Sequence, residues 1–158
     1  MTRDDYDDTI RDLMPALLAY FVRRITPVED AADCLSETLV VLWRRRRSRP
    51  DDEEGARRWA FGVAKGVLAN AHRGRLRRSA LADRVRLEVA ASVVPSAEVD
   101  LDVRRALDEL GEADRELVTL IVWDGFGVAE AGALLGLKPD AARSRYSRTR
   151  ARLREMLA

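Results

Sequence analysis

The stretch Val128-Ala-Glu-Ala-Gly-Ala-Leu-Leu-Gly-Leu-Lys-Pro-Asp140 contains the signals of a short helix, a turn and the start of a second helix. Residues 128–135 have the apolar spacing of a helix, and Gly136-Leu137 predicts the turn. Pro139 then falls in the first turn of the next helix, a position that favours proline. This spacing predicts a helix-turn-helix, a motif whose second helix enters the major groove of DNA.

The second helix of this motif is predicted to have a core face and a slim, polar front. The core face consists of Ala142, Tyr146, Thr149 and Leu153, and the front of Asp140, Ser144, Ser147, Arg148 and Ala151. Arginines flank the front, Arg143 and Arg150 on one side and Arg145 and Arg152 on the other. This pattern fits a helix between two phosphate walls, whereas a merely solvated helix more often mixes acids among its bases. The predicted DNA-binding residues are Arg143, Ser144, Arg145, Ser147, Arg148 and Arg150.

Charge is strongly segregated along the chain, although the net charge is only +1. The formal charge is −5 over residues 1–37, +8 over 44–78, −4 over 103–130 and +6 over 138–154. Two basic surfaces, each preceded by an acidic one, indicate a two-module binder of a polyanion whose acidic faces meet a different partner. Ordinary solvated helix faces are the alternative for either basic segment taken alone.

The composition excludes several classes of protein. The chain has 158 residues, of which 47% are hydrophobic, 6% aromatic and 35% charged, as in a helix-rich globular protein. Cys34 is the only cysteine and His72 the only histidine, which excludes an internal disulfide and leaves little material for a metal site or a catalytic triad. We therefore expect no cofactor, no metal and no catalytic residue. The acidic start and the lack of a long apolar run predict a cytoplasmic protein without membrane insertion.

Helical periodicity without a sustained alternating run predicts an all-α chain of two small helical domains. Thr26-Pro27 marks a helix start, and the segment from Pro50 to Gly55 is predicted to be a loop. The pattern breaks over residues 79–100, which we interpret as a linker. The predicted modules are residues 1–78 and 101–158.

The predicted helix at residues 29–47 has an acidic exposed arc, with Cys34 on its buried face. The arc includes Asp33, Ser36, Glu37 and Val40. An apolar residue among carboxylates favours a protein interface, although single exposed apolar residues are common.

The segment 57–78 has seven bases and no acid. Opposite its core stripe lie Trp59, Gly62, Lys65, Gly66, Ala69, Asn70 and Arg73. Each of the two glycines lowers the stability of the helix by about 1 kcal/mol relative to alanine. Their presence on the exposed arc is explained if a large partner approaches the helix backbone closely. In this arc Trp59 can stack on bases, and Asn70 can hydrogen-bond to their edges. Lys65 and Arg73 can contact phosphates. The arc therefore predicts a nucleic-acid surface. The alternative is a helix packed on a neighbour through its glycines, with Trp59 half-buried.

Three motifs in this order resemble the extracytoplasmic-function (ECF) sigma factors of bacterial RNA polymerase. They are Asp30-Ala-Ala-Asp-Cys-Leu-Ser-Glu-Thr-Leu-Val-Val-Leu-Trp43, Trp59-Ala-Phe-Gly-Val-Ala-Lys-Gly-Val-Leu-Ala-Asn70, and Leu107-Asp-Glu-Leu-Gly-Glu-Ala-Asp-Arg-Glu-Leu117 running into the helix-turn-helix. The resemblance covers nearly the whole chain. It implies sigma region 2 at residues 1–78, a linker at 79–100 without a region 3 domain, and sigma region 4 at 101–158.

The resemblance also implies a role for each surface. The first motif implies binding of the polymerase β′ clamp helices by Asp33, Ser36, Glu37 and Val40. The second implies recognition and opening of the minus-ten element by Trp59, Lys65, Gly66, Asn70 and Arg73. The last helix implies recognition of the minus-thirty-five element by the six residues named above, while other faces of region 4 bind the β flap. Ser36, Lys65-Gly66 and Lys138 depart from the residues usual in the family.

The predicted function is that of a dissociable initiation subunit, not itself an enzyme, that directs core RNA polymerase to promoters and helps to open them. An anti-sigma factor is a further partner that the resemblance implies. Two alternatives stay open from the residues: a stand-alone helix-turn-helix transcription regulator, and a helical protein-interaction adaptor.

Overall fold

The structure, a computed structural model, describes residues 3–76 and 101–158. Within these ranges the chain is all-α, as predicted, and falls into two compact units. The N-terminal unit contains α1 (Arg3–Val22), α2 (Glu29–Arg44), a short 3-10 helix (Arg46–Ser48) and α3 (Glu53–Leu76). The C-terminal unit contains α4 (Leu101–Asp108), α5 (Glu112–Val122), α6 (Val128–Leu134) and α7 (Pro139–Leu157). The predicted linker, 79–100, lies outside the described residues.

The N-terminal unit packs α1, α2 and α3 around an aromatic core. The ring of Tyr20 meets Phe21 and Phe61 edge-to-face, with ring centroids 5.3 and 5.5 Å apart. Such contacts add to the free energy of burying the rings. Thr38 is fully buried on α2, and its hydroxyl donates to the carbonyl of Cys34 at 2.7 Å. A buried hydroxyl is thus satisfied within its own helix.

In the N-terminal unit, the start of α2 agrees with the prediction and the start of α3 differs from it. The α2 helix begins at Glu29, just after Thr26-Pro27, as predicted. The predicted loop from Pro50 to Gly55 is too long, because α3 begins at Glu53. The Asp52 carboxylate accepts the N–H of Gly55 at 2.7 Å and so satisfies one of the free backbone donors of the first turn.

The C-terminal unit packs α7 against α4, α5 and α6. Its buried apolar residues come from all four helices and the turns between them: Ala106, Leu110, Leu117, Val118, Leu120, Phe126, Ala131 and Ala142. Thr149, also buried, donates to the carbonyl of Arg145 at 2.9 Å. No helix in the described ranges combines the length and apolar character needed to cross a membrane.

Candidate nucleic-acid and protein interfaces

The turn between α6 and α7 has the hydrogen bonds that a sharp change of direction needs. Gly136 has φ +72°, a left-handed conformation that glycine adopts without a side-chain penalty. The N–H of Leu137 donates to the carbonyl of Gly132 at 2.8 Å, and that of Gly136 to Ala133 at 3.1 Å. This pair of bonds is a Schellman motif, which satisfies carbonyls at the end of α6. The predicted helix-turn-helix is confirmed.

The crossing of α6 and α7 depends on a close approach at Gly132. This glycine is buried, and a Cβ placed on it would lie well inside van der Waals contact of the Ala142 Cβ. The neighbour cannot rotate away, because the Ala142 methyl is attached directly to the backbone. Gly132 therefore sets how closely α6 supports α7.

The α7 helix has the orientation predicted from its sequence. Ala142 and Thr149 are buried, while Tyr146 and Leu153 are partly buried. All residues of the predicted front are exposed: Asp140, Ser144, Ser147, Arg148 and Ala151. Small hydroxyl side chains and one arginine therefore lie on a face that can approach the edges of DNA bases.

The two arginine flanks of α7 differ in their partners. Arg145 is partly buried and forms an ion pair with Asp114 of α5 at 3.5 Å. On the same side, Arg152 donates to the carbonyl of Glu109 at 3.3 Å. On the other flank Arg143 and Arg150 are exposed, and Arg143 pairs with Asp140 on its own helix. One flank thus holds α7 against α5 and the turn that precedes it, and the other faces outward.

The outward flank borders a cavity of about 260 Å³ between the start of α6 and α7, which we call the α6–α7 crevice. Its lining residues are Val128, Arg143, Tyr146, Ser147, Arg150, Ala151 and Arg154. Arg154 was not among the predicted DNA-binding residues. Its helical spacing from Arg143, Ser147 and Arg150 places all four on one face, a signal that the sequence already contained.

The acidic arc of α2 is exposed as predicted. Asp33, Ser36 and Glu37 are exposed, and Val40 has 47% of its surface accessible. The Ser36 hydroxyl donates to the carbonyl of Ala32 at 3.0 Å. The arc therefore presents two carboxylates and an apolar side chain together, which suits a protein partner with basic and apolar groups.

Cys34 lies on the opposite, buried face of α2, as predicted. Burial raises the pKa of its thiol above the ordinary value, and the carboxylates of Glu37, Asp30 and Asp33 raise it further. The thiol is thus held in its neutral form, consistent with a core position. Within residues 3–76 and 101–158, no group of three or more His, Cys, Asp or Glu side chains could hold a metal ion.

Most of the basic arc of α3 is exposed. Gly62, Lys65, Gly66, Asn70 and Arg73 are all exposed. A Cβ on Gly62 or Gly66 would meet no described atom within 4 Å. Among the described residues these glycines therefore pack on no neighbouring helix, whereas the other part of that alternative, a half-buried Trp59, agrees with the structure.

Two side chains of the α3 arc are less free than its glycines. Trp59 is partly buried, so only part of its ring is available to a partner. The Arg73 guanidinium donates to the amide oxygen of Asn70. Farther along α3, Arg75 forms an ion pair with Asp30 of α2 at 3.0 Å, which joins the helices that carry the acidic and basic arcs.

The sequence matches proteins of one family. Residues 100–153 match the family model described as sigma-70, region 4. The ECF RNA polymerase sigma factor SigF of Caulobacter vibrioides is 34% identical over 128 residues, which cover 80% of this chain and 71% of SigF. The RNA polymerase sigma factor CarQ of Myxococcus xanthus is 32% identical over 165 residues, which cover 98% of this chain and 92% of CarQ.

Solved structures agree with the sequence matches. The sigma factor RpoE, in complex with the anti-sigma factor NepR from Bartonella quintana, is 25% identical with a TM-score of 0.70, covering 97% of this chain and 96% of RpoE. CnrH, in complex with the cytosolic domain of CnrY, is 25% identical with a TM-score of 0.65, covering 99% of this chain and 89% of that one. With its confirmed helix-turn-helix and these relatives, the chain belongs to the ECF family of RNA polymerase sigma factors and directs promoter-specific transcription initiation.

Proposed function

We propose that this sigma factor divides its work among three surfaces: α2 binds core polymerase, α3 recognises and opens the minus-ten element, and α7 recognises the minus-thirty-five element. The single observation that carries the proposal is the exposed front of α7, held on a helix-turn-helix whose opposite face is buried. The polymerase supplies the nucleotidyl-transfer chemistry, and the sigma factor acts beside it in the cytoplasm.

Run-off transcription with purified core polymerase and a promoter bound by this protein tests the function as a whole. We expect specific transcripts only when the sigma factor is added. Promoter binding by this protein alone, without any gain of initiation, would instead indicate a stand-alone regulator. Binding to neither promoter nor core polymerase would indicate an adaptor.

The acidic arc of α2 is the proposed contact with the β′ clamp helices, through Asp33, Ser36, Glu37 and Val40. Its support is the exposure of both carboxylates beside an exposed valine. Opposite charges steer association and fix the register of an interface. An exposed apolar residue within that charged arc adds contact area.

Reversing both charges with Asp33→Lys and Glu37→Lys is expected to weaken binding to core polymerase about 10- to 100-fold, because attraction becomes repulsion. Fluorescence titration measures the affinity, and circular dichroism checks that helix content is unchanged. Asp12→Lys, which alters an exposed carboxylate on α1, is the control and should bind nearly normally. Wild-type affinity of the double variant would remove α2 from the interface.

The basic arc of α3 is the proposed site for the minus-ten element and its opened non-template strand. The residues are Trp59, Lys65, Gly66, Asn70 and Arg73. Among the described residues no atom would lie within 4 Å of a Cβ on Gly62 or Gly66, which supports close approach of a strand to the helix backbone. Lys65 and Arg73 would meet phosphates, which position a strand, while Asn70 can hydrogen-bond base edges.

Replacing Trp59 with alanine is expected to remove stacking worth about 1–3 kcal/mol per base. Promoter opening, followed by permanganate reactivity of unpaired thymines, should fall more than closed-complex formation. Trp59→Phe keeps an aromatic ring and should retain part of the opening activity. Equal losses in both steps, together with reduced thermal stability, would show that Trp59 serves mainly in packing.

The α7 helix is the proposed contact with the minus-thirty-five element, through Arg143, Ser144, Arg145, Ser147, Arg148 and Arg150. Other faces of the C-terminal unit would bind the β flap.

An anti-sigma factor is a further proposed partner. It is supported by the RpoE and CnrH relatives, because the solved RpoE is bound to the anti-sigma factor NepR and CnrH to the cytosolic domain of CnrY. Co-purification with a candidate inhibitor, and loss of run-off transcripts when it is added, tests that partner.

A further inference from the structure

The α6–α7 crevice is a strongly cationic cavity on the C-terminal unit. Three guanidinium groups line it, from Arg143, Arg150 and Arg154, and no carboxylate does. Arg143 pairs with Asp140, but within the described residues Arg150 and Arg154 have no hydrogen-bond or ion-pair partner. Guanidinium groups that lie close together without a counter-charge repel each other. An anion that binds in the crevice reduces this repulsion, so its binding is electrostatically favourable.

The remaining lining residues indicate what kind of anion fits. The hydroxyls of Tyr146 and Ser147 can donate hydrogen bonds, while Val128 and Ala151 provide an apolar wall. The volume of about 260 Å³ is close to the lower end of small-ligand pockets, about 300–1,000 Å³. It exceeds what a lone phosphate group would fill. A phosphate with an attached sugar uses both the cationic and the apolar walls.

We propose that the α6–α7 crevice holds one sugar–phosphate unit of a promoter DNA strand, with Arg154 as a phosphate-binding residue. The inference rests on the proposed recognition of the minus-thirty-five element by α7. Arg143, Ser147 and Arg150 belong both to that proposed site and to the crevice. A strand whose base edges face Ser144 and Arg148 would carry its backbone along the flank that contains the crevice.

The asymmetry of the two flanks supports this assignment. Arg145 and Arg152 are engaged by Asp114 and the Glu109 carbonyl, so that side of α7 has fewer cations available. A guanidinium matches a phosphate with two parallel N–H donors, and among the residues that the structure describes neither Arg150 nor Arg154 has a partner. An acidic peptide would also be attracted by charge. Continuity with the front of α7 favours DNA over a peptide.

The test compares Arg154→Ala with Arg104→Ala, which removes an equal exposed charge from α4, outside the crevice. Holoenzyme binding to matched and mismatched promoter DNA is measured at several salt concentrations. We expect Arg154→Ala to lower affinity about fivefold and to reduce the slope of log K against log salt by about one unit. The ratio between matched and mismatched DNA should stay constant, and Arg104→Ala should resemble the wild type.

Neutral methylphosphonates placed one at a time along the promoter locate the contact. One position should weaken wild-type binding but have no further effect on Arg154→Ala, and Arg154→Lys should restore part of the loss. The crevice assignment is overturned if Arg154→Ala keeps wild-type affinity and slope, or if every methylphosphonate affects both proteins equally. It is also overturned if the variant loses binding of free deoxynucleotide or of an anti-sigma peptide while promoter binding is unchanged.

Arg148→Ala separates this inference from the proposed function. If it loses base discrimination while Arg154→Ala behaves as wild type, only the crevice assignment is wrong. If neither variant affects promoter binding, the proposed role of α7 is wrong as well.

Discussion

Gly132→Ala is expected to destabilise the C-terminal unit by about 1–3 kcal/mol, because the new methyl group has no room beside Ala142. Small domains have only a few kcal/mol of net stability, so this is a large fraction of the total. The α7 helix would have to move away from α6, and promoter binding should fall with it. Denaturant unfolding followed by tryptophan fluorescence, with Trp43→Phe and Trp59→Phe in both proteins compared, reports on this unit through Trp123, which directly follows α5.

Two further variants control for the effect of alanine itself. The new methyl of Gly62→Ala would meet no atom of the described residues within 4 Å, so this variant should leave the N-terminal unit as stable or add up to about 1 kcal/mol from helix propensity. Combining Gly132→Ala with Ala142→Gly moves the methyl from α7 to α6 and should recover much of the lost packing. A Gly132→Ala protein as stable as the wild type would show that α6 and α7 do not cross this closely.

Arg148→Ala and Arg143→Ala are expected to affect promoter binding in different ways. Arg148 lies on the exposed front of α7, where a good bidentate base contact is worth about 1–3 kcal/mol of discrimination. Loss of this side chain should reduce the difference in binding free energy between the correct minus-thirty-five sequence and mutated ones. Arg143 lies on the outward flank and should contact phosphate, so its loss should weaken all promoters about equally and lower the salt slope by about one unit.

The measurement is holoenzyme binding to matched and mismatched promoters over a range of salt concentrations. Circular dichroism of both variants checks that α7 remains folded. Arg145→Ala adds a comparison, because its ion pair with Asp114 predicts lower stability of the C-terminal unit in addition to weaker binding. If Arg143→Ala changes base preference and Arg148→Ala changes only the salt slope, the assumed rotation of α7 in the groove is wrong.

Local periodicity predicted which side chains share a helix face. Ala142 and Thr149 are buried, and Ser144, Ser147 and Arg148 are exposed, because successive residues turn by a nearly constant angle along a helix. Periodicity was less successful where contacts cross between helices. Phe61 of α3 is buried and meets the ring of Tyr20 of α1, a contact that the period of neither helix specifies.

The sequence by itself determined the all-α class, the helix-turn-helix, the acidic arc of α2 and the basic arc of α3. These features depend on spacing and turn residues within short segments. Only the tertiary structure decided that Arg145 pairs with Asp114, that Gly132 lies against Ala142, and that Arg154 borders a crevice begun by Val128. Each of these contacts joins two helices, so it depends on the distance and angle at which they cross, which the period of one helix does not specify.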